Sequence, residues 1–239
     1  FKMNPDLSNL IWSTFLGGTL DDSAYGLRLS ENGNIYVTGS AGDNSFPSTN
    51  NAVNSNFLGG TNDAFVVELS SNGETLINSS FYGSNAKDQS FFIDLDSDGD
   101  VYIYGQNEGA IPISESCYGN ENSAQFIAKL DPDLENIIWQ TTIGTGTLDF
   151  GTTWGVTYDF VPIAFMIDVC KRIYISGHGA GFNDGLYISD DPIVSSGGFY
   201  EMVLEEDASE IHYATLFTGD HVDGGTSRFD PNGTIYQAV

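Results

Sequence analysis

The chain repeats itself, and that constrains its fold more than any other feature. Ser13-Thr14-Phe15-Leu16-Gly17-Gly18 returns as Ser79-Ser80-Phe81-Tyr82-Gly83-Ser84, as Gln140-Thr141-Thr142-Ile143-Gly144-Thr145 and as Ala214-Thr215-Leu216-Phe217-Thr218-Gly219. Between Gly17, Gly83, Gly144 and Thr218 the steps are 66, 61 and 74 residues. Each unit holds two hairpins in a fixed order. The first runs from Tyr25 to Ser30, turns at Glu31-Asn32-Gly33 and returns through Gly39; Phe91 to Gly105 and Ala164 to Gly177 are its counterparts. The second runs from Ala64 to Leu69, turns over Ser70 to Gly73 and returns to Phe81. Alternating apolar residues around Asn-Gly or Asp-Gly mark hairpins, because those residues tolerate positive φ. Four short strands in about 60 to 75 residues, with no helical period, predict a propeller blade that must stack on its neighbours to bury both faces. The constant order of the hairpins counts against a β-sandwich.

The two ends fall inside this pattern. Phe1-Lys2-Met3-Asn4-Pro5-Asp6-Leu7 matches Ala128-Lys129-Leu130-Asp131-Pro132-Asp133-Leu134, and Asn232-Gly233-Thr234-Ile235-Tyr236 parallels Asn32-Gly33-Asn34-Ile35-Tyr36. The expectation is an all-β chain forming a single β-propeller region over 1–239, with about four blades' worth of four-stranded antiparallel sheet. It divides into a half blade at 1–18, blades at 19–82, 83–144 and 145–218 (the last with an insertion at 150–161) and a half blade at 219–239. Both ends are expected to continue into a longer protein with a larger ring; a closed ring of four, made by joining the halves, is the alternative.

Charge narrows the function. Thirty-three Asp and Glu against seven Lys and Arg give a net charge of −26. That excludes a nucleic-acid surface, which needs clustered cations on phosphates, and disfavours anionic lipid. No run approaches the roughly eighteen apolar residues of a membrane-spanning helix. A 40% hydrophobic and 13% aromatic content is too high for a disordered acidic tail. Two cysteines, Cys117 and Cys170, are too few for a disulfide framework. The Lys-poor, polar composition leans towards an extracellular setting.

An aspartate stands five residues after each marker, at Asp22, Asp88, Asp149 and Asp223. This segment leads from the outer strand of one blade into the inner strand of the next, so the four carboxylates are expected around one mouth of the channel. Each either accepts hydrogen bonds from its own turn or helps hold a hard cation such as Ca²⁺. Neither Arg28 nor Arg228 is reserved by anything in the sequence. Asp94, Asp96, Asp98, Gly99 and Asp100 resemble the start of a calcium loop, but the twelfth position is Gly105, where an EF-hand has Glu. The segment also aligns with the hairpin turn at Glu31-Asn32-Gly33, the better reading, with calcium on fewer protein ligands left open. In the insertion, Trp154, Tyr158 and Asp159 are the candidate ligand-binding residues, since aromatics beside carboxylates stack on sugar rings or anchor interfaces. His178 and His221 form a weaker candidate pair. No catalytic motif is present: there is no Gly-x-Ser-x-Gly, no His-Glu-x-x-His and no phosphate-binding glycine loop.

Ser-Thr-Phe-Leu-Gly-Gly at 13–18, Asn-Gly-Asn-Ile-Tyr-Val-Thr-Gly at 32–39, Asn-Ser-Phe-Pro at 44–47 and Asp-Ala-Phe-Val-Val-Glu-Leu at 63–69 resemble the bacterial seven-bladed β-propeller (SBBP) repeat. Residues 162–177 and 221–230 are similar to the propeller region of large gliding-motility-associated surface proteins that end in a type IX secretion sorting domain. The resemblance implies a secreted module at the bacterial cell surface, in adhesion or gliding. Its implied partners are other domains of the same protein, surface glycans or proteins, and the type IX secretion machinery. The expected function is a non-catalytic interaction or structural module with no required cofactor. The alternative is a propeller hydrolase or lyase acting on polysaccharide, with Asp149, Asp159 and Trp154 converging on one pocket.

Overall fold

The computed structural model describes residues 1–146, 161–178, 186–190, 192, 198–217 and 227–237. Its strands are β1 (Lys2–Met3), β2 (Leu10–Trp12), β3 (Ser23–Leu29), β4 (Ile35–Ala41), β5 (Asp63–Leu69), β6 (Leu76–Tyr82), β7 (Asp88–Leu95), β8 (Val101–Asn107), β9 (Gln125–Leu130), β10 (Ile137–Ile143), β11 (Val161–Ile167), β12 (Ile173–His178), β13 (Phe199–Leu204), β14 (Ile211–Phe217), β15 (Ser227–Phe229) and β16 (Ile235–Gln237). They form three four-stranded antiparallel meanders, β3–β6, β7–β10 and β11–β14, flanked by the two-stranded sheets β1–β2 and β15–β16. The fold is all-β and its sheets are propeller blades.

Sequence chemistry explains each blade. The hairpin turns close with an i to i+3 bond at Gly33, Gly99 and Gly233, whose N–H groups donate to Ser30, Asp96 and Asp230 carbonyls, and all three glycines have φ between 83° and 86°. The second and third strands, β4 with β5 and β8 with β9, are buried almost throughout because neighbouring blades cover both faces. Between β3–β6 and β7–β10 the core joins Tyr36, Val66 and Tyr82 to Ile93, Ile103 and Phe126. Between β7–β10 and β11–β14 it joins Tyr102, Tyr104 and Trp139 to Phe165, Ile175 and Leu216. Backbone bonds repeat the stacking further out. Val53 N–H donates to the Leu134 carbonyl at 2.9 Å, and Tyr118 N–H to the Ala208 carbonyl at 2.7 Å, so a loop of one blade is tied to the outer turn of the next.

Outer edges are covered as well. Loop residues Thr49 and Asn54 bond to Ser79 and Phe81 along β6, Ser114 and Asn120 to Gln140 and Thr142 along β10, and Ser189 to Ala214 along β14. Each loop thus blunts an edge that would otherwise template aggregation.

Three of the inner strands, β3, β7 and β11, carry an irregularity at the same place. Register slips between Ala24 and Gly26, between Ser90 and Phe92, and between Pro162 and Ala164, leaving Tyr25, Phe91 and Ile163 as bulged residues. The bulge brings the inner strand close to the end of the second strand, where only glycine fits. A Cβ on Gly39 would lie 1.9 Å from the Ser23 carbonyl oxygen, and one on Gly105 2.0 Å from that of Gln89.

Candidate functional site

The strands of each blade run up and down in turn, so the tight hairpin turns gather at one mouth of the propeller and the long loops at the other. Asp22 and Asp88 lie at the loop mouth, at the heads of inner strands β3 and β7. Each caps its own connection. Asp22 Oδ2 accepts the Gly18 N–H at 2.5 Å and its Oδ1 the Gly42 N–H at 3.0 Å. Asp88 Oδ2 accepts the Ser84 N–H at 2.7 Å and the Ser84 hydroxyl at 3.0 Å. This also explains the marker glycines: a Cβ on Gly17 would stand 2.8 Å from Asp22 Oδ2, and one on Gly83 2.3 Å from Asp88 Oδ2, at φ values of 158° and 143°. Asp149, Asp223, Trp154, Tyr158, Asp159 and His221 lie outside the described residues. His178 packs its ring on Phe199, centroids 5.0 Å apart.

A third carboxylate at this mouth is missed by reasoning from the marker alone. Asp63, at the head of β5 and wholly buried, accepts the Leu58 N–H on Oδ2, while its Oδ1 has no hydrogen-bond partner. The signal was in the chain: Phe57-Leu58-Gly59-Gly60-Thr61 copies Phe15-Leu16-Gly17-Gly18-Thr19 in mid-unit. Burial pushes the Asp63 carboxyl up to about 6, against the Leu58 and Gly59 N–H groups that favour its ionised form. Burial pushes Asp88 up to about 7, with Asp63 and Glu108 adding like charge. Lys87 and Glu108, 3.5 Å apart, border the pair.

At the turn mouth, the segment from Asp94 to Asp100 is a hairpin turn. Asp96 Oδ1 accepts the N–H groups of Asp98 at 2.9 Å and Asp100 at 3.1 Å. Asp96 Oδ2 meets the Tyr102 hydroxyl at 3.2 Å and the Lys129 ammonium at 3.1 Å; Lys129 also reaches Asp100 at 2.9 Å. Lys171 of the next blade adds contacts to Asp96 and Asp98. Two lysines therefore stand among the oxygens proposed for calcium. Burial raises Asp96, and the Lys129 bond and the turn N–H groups more than reverse it, leaving the carboxyl below its usual range.

Asp94 faces the axis. Its Oδ1 takes Arg28 Nε from β3 at 3.0 Å and its Oδ2 the Ile167 N–H from β11 at 2.9 Å, so one side chain on β7 ties three successive inner strands together. The Arg28 left uncommitted by the sequence is thus committed here. Around it lies a cavity of about 610 Å³ lined by all four inner strands, with Tyr25, Phe91, Phe92, Phe165 and Phe229 as its aromatic wall. The bulges turn Tyr25 and Phe91 into it, ring centroids 5.1 Å apart.

Residues 11–47 match the SBBP family, a beta-propeller repeat. The SBBP match runs from β2 through the Asp22 connection and the bulged β3 to the loop after β4, so it takes in the outer strand of one sheet and the inner hairpin of the next. The Asp cap, its glycine and the axial Tyr25 all lie within it. No curated protein matches the chain.

Proposed function

We propose that the chain is a non-catalytic interaction module that holds a surface glycan or protein at its axis. The observation that carries this reading is the repeated bulge. At the same ladder position of successive inner strands it sets Tyr25 and Phe91 into one cavity, beside an Arg28 fixed by Asp94. Adjacent rings with one pinned guanidinium form a stacking platform for sugar rings, with a hydrogen-bonding fork beside it. A blade-on-blade scaffold holds that platform rigid without a conformational change on binding. Secretion, display at the bacterial cell surface within a multidomain protein, export by the type IX route and a role in adhesion or gliding rest on the resemblance of residues 162–177 and 221–230.

Calorimetric titration of the chain with soluble neutral and acidic polysaccharides, alongside a reducing-end assay, tests the reading. Saturable binding that Tyr25→Ala or Phe91→Ala removes, at an unchanged melting temperature and with no new reducing ends, is the expected result. Binding indifferent to both substitutions overturns the axial site. Release of reducing ends, or of unsaturated ends absorbing in the ultraviolet, replaces the module with the polysaccharide hydrolase or lyase.

A further inference from the structure

Two turns interlock at the loop mouth between β3–β6 and β7–β10, both of them complete blades. Residues 57–62 lead into β5 and residues 83–87 into β7. A Cβ on Gly59 would lie 2.9 Å from the Asn85 carbonyl oxygen, and one on Gly60 2.4 Å from that of Ala86. The Asp88 N–H donates to the Asn62 carbonyl at 2.8 Å, which sets the first residue of β7 beside the first residue of β5. Asp88 and Asp63, one from each blade, are therefore neighbours, and both are wholly buried. A single capping carboxylate needs no counter-charge, but two held side by side away from water do. Lys87, which borders them, is already paired with Glu108 at 3.5 Å.

A third oxygen comes from β8. Asn107 is wholly buried and is the ladder partner of Asp88, so their side chains leave the sheet on one face. Its Nδ2 donates to the Gly109 carbonyl at 2.7 Å and to the Ser123 carbonyl at 3.2 Å, which fixes the amide. Its Oδ1 is buried without a hydrogen-bond partner, and so is Asp63 Oδ1. The loop after Asn107 closes on the turn that Asp88 caps. A Cβ on Gly109 would stand 2.4 Å from Ser84 Oγ, and that hydroxyl lies 3.2 Å and 3.0 Å from the two oxygens of Asp88. Buried polar atoms are almost always paired, and the two left over beside Asp88 are both acceptors, so what answers them brings positive charge or a donated proton. We propose that Asp63, Asp88 and Asn107 hold a calcium ion between the two blades, with Asp63 Oδ1 and Asn107 Oδ1 among its ligands.

The donor set selects the ion. Carboxylate and amide oxygens, with no nitrogen or sulfur among them, suit a hard cation. Among the described residues no three His, Cys, Asp or Glu side chains gather as a metal cluster, so the amide oxygen and water must complete the shell. Calcium, with its irregular shell of roughly six to eight oxygens, accepts that more readily than octahedral magnesium. The repeat supplies an internal control. Asp22 caps the equivalent turn one unit earlier, but both its oxygens accept N–H groups, and Ala41 stands in the place of Asn107. Of the marker aspartates it is thus Asp88 that this site uses. Without the ion nothing offsets burial, which keeps both carboxyls above their ordinary range. So few protein ligands place the affinity at the weak end for calcium, with Kd about 10⁻⁴–10⁻³ M.

Thermal melts at about pH 8 and about 0.15 M salt test the site. Calcium chloride, taken from chelator-buffered levels to about 10 mM, is expected to raise the midpoint saturably by about 3 °C or more, and magnesium chloride by less than about half of that. Asp63→Asn and Asn107→Ala should each abolish the calcium-specific rise, and Asp22→Asn should keep it. Calorimetric titration with calcium chloride reads binding apart from stability, with about one ion bound per chain and none in Asp63→Asn. A rise shared equally by both salts and all three variants overturns the inference, because it measures only screening of a chain of net charge −26. A parent whose midpoint does not move and which binds no calcium in the calorimeter overturns it too, and assigns the two unpaired oxygens to buried water.

Discussion

Replacing Asp63 by Asn tests the buried carboxyls at the loop mouth. Asp63 is wholly buried, with one oxygen on the Leu58 N–H and the other without a partner. Burial lifts its pKa to about 6, whereas an aspartate of the unfolded chain titrates near 3.9. Between those values the native state keeps a proton that the unfolded state has lost. The stabilisation from that proton is complete below about pH 4 and disappears as pH rises through about 6. At about 1.4 kcal/mol per pKa unit, the ionised carboxylate leaves the native state about 3 kcal/mol worse off at neutral pH than a neutral side chain of the same shape. Asn keeps a carbonyl for Leu58 and removes the charge. In urea unfolding at about pH 4.5 and about pH 8, the variant should gain on the parent by about 2 kcal/mol across the interval, with equal m-values. Asp88, raised to about 7 in part by the Asp63 charge, titrates in the same direction in both proteins; losing that charge lowers it in the variant, which adds to the gain at alkaline pH. Parallel stability profiles for the two proteins would refute the argument, since they would mean that Asp63 ionises in the native state as easily as in the unfolded one.

Asp94→Ala removes the acceptor of the Ile167 N–H and the partner of Arg28 together, and should cost about 2–3 kcal/mol in chemical denaturation. A loss below about 0.5 kcal/mol would show that the axial tie is dispensable. Lys129→Met removes one of the two lysines from the Asp96–Asp100 cluster, in which the Asp96 side chain is inaccessible and keeps Lys171, and should lower stability by about 1–3 kcal/mol. Double-mutant cycles with Asp96→Asn measure how much of that belongs to the pair. Gly39→Ala and Gly105→Ala should each cost at least about 2 kcal/mol in thermal melts, because the new methyl meets a carbonyl and a phenyl ring at once. Gly33→Ala, whose Cβ would meet only Ser71 Cβ at an ordinary 3.6 Å at φ 85°, carries only a backbone cost of about 1 kcal/mol.

What the sequence revealed depended on how local the cause was. Asn32-Gly33 and Asp98-Gly99 announce their hairpins because the positive φ and the side-chain cap arise within four residues. The Asp five residues after each marker glycine is legible for the same reason: Gly17 and Asp22 occupy one turn and exclude any Cβ between them. Asp63 is equally local but belongs to a copy of Phe-Leu-Gly-Gly-Thr out of phase with the unit, so counting from the markers passes over it. The axial site is a different case. Tyr25 reads as an ordinary alternating residue of a strand, and only the slipped register of β3 against β4 turns it to the channel. The bond from Arg28 to Asp94 crosses a full repeat of 66 residues, and that from Asp94 to Ile167 another 73. No spacing rule links them, because stacking rather than chain connectivity sets which blades touch.

The chain's acidity acquires a structural meaning once its few cations are located. Asp22, Asp63, Asp88, Asp96, Asp131, Asp168 and Asp230 accept backbone N–H groups of their own connections, a use that needs carboxylates and no counter-charge. Two of the described cations are spent where blades meet. Arg28 reaches from β3 to Asp94 on β7, and Lys171 reaches from the turn after β11 to the turn after β7. Each interface between complete blades is therefore fastened at several depths. Apolar packing fills the middle, a backbone bond from a loop to the next outer turn closes the rim, and charge-assisted contacts hold the axis or the turn mouth. Because these fastenings differ in chemistry, no single change of salt or pH acts on all of them alike. Ring position, and with it the geometry of the aromatic cavity, is held by contacts between repeats, while the acidic caps fix each connection on its own. Changes to a cap should consequently loosen one loop, and changes to Asp94 or Lys171 should alter how whole blades sit around the axis.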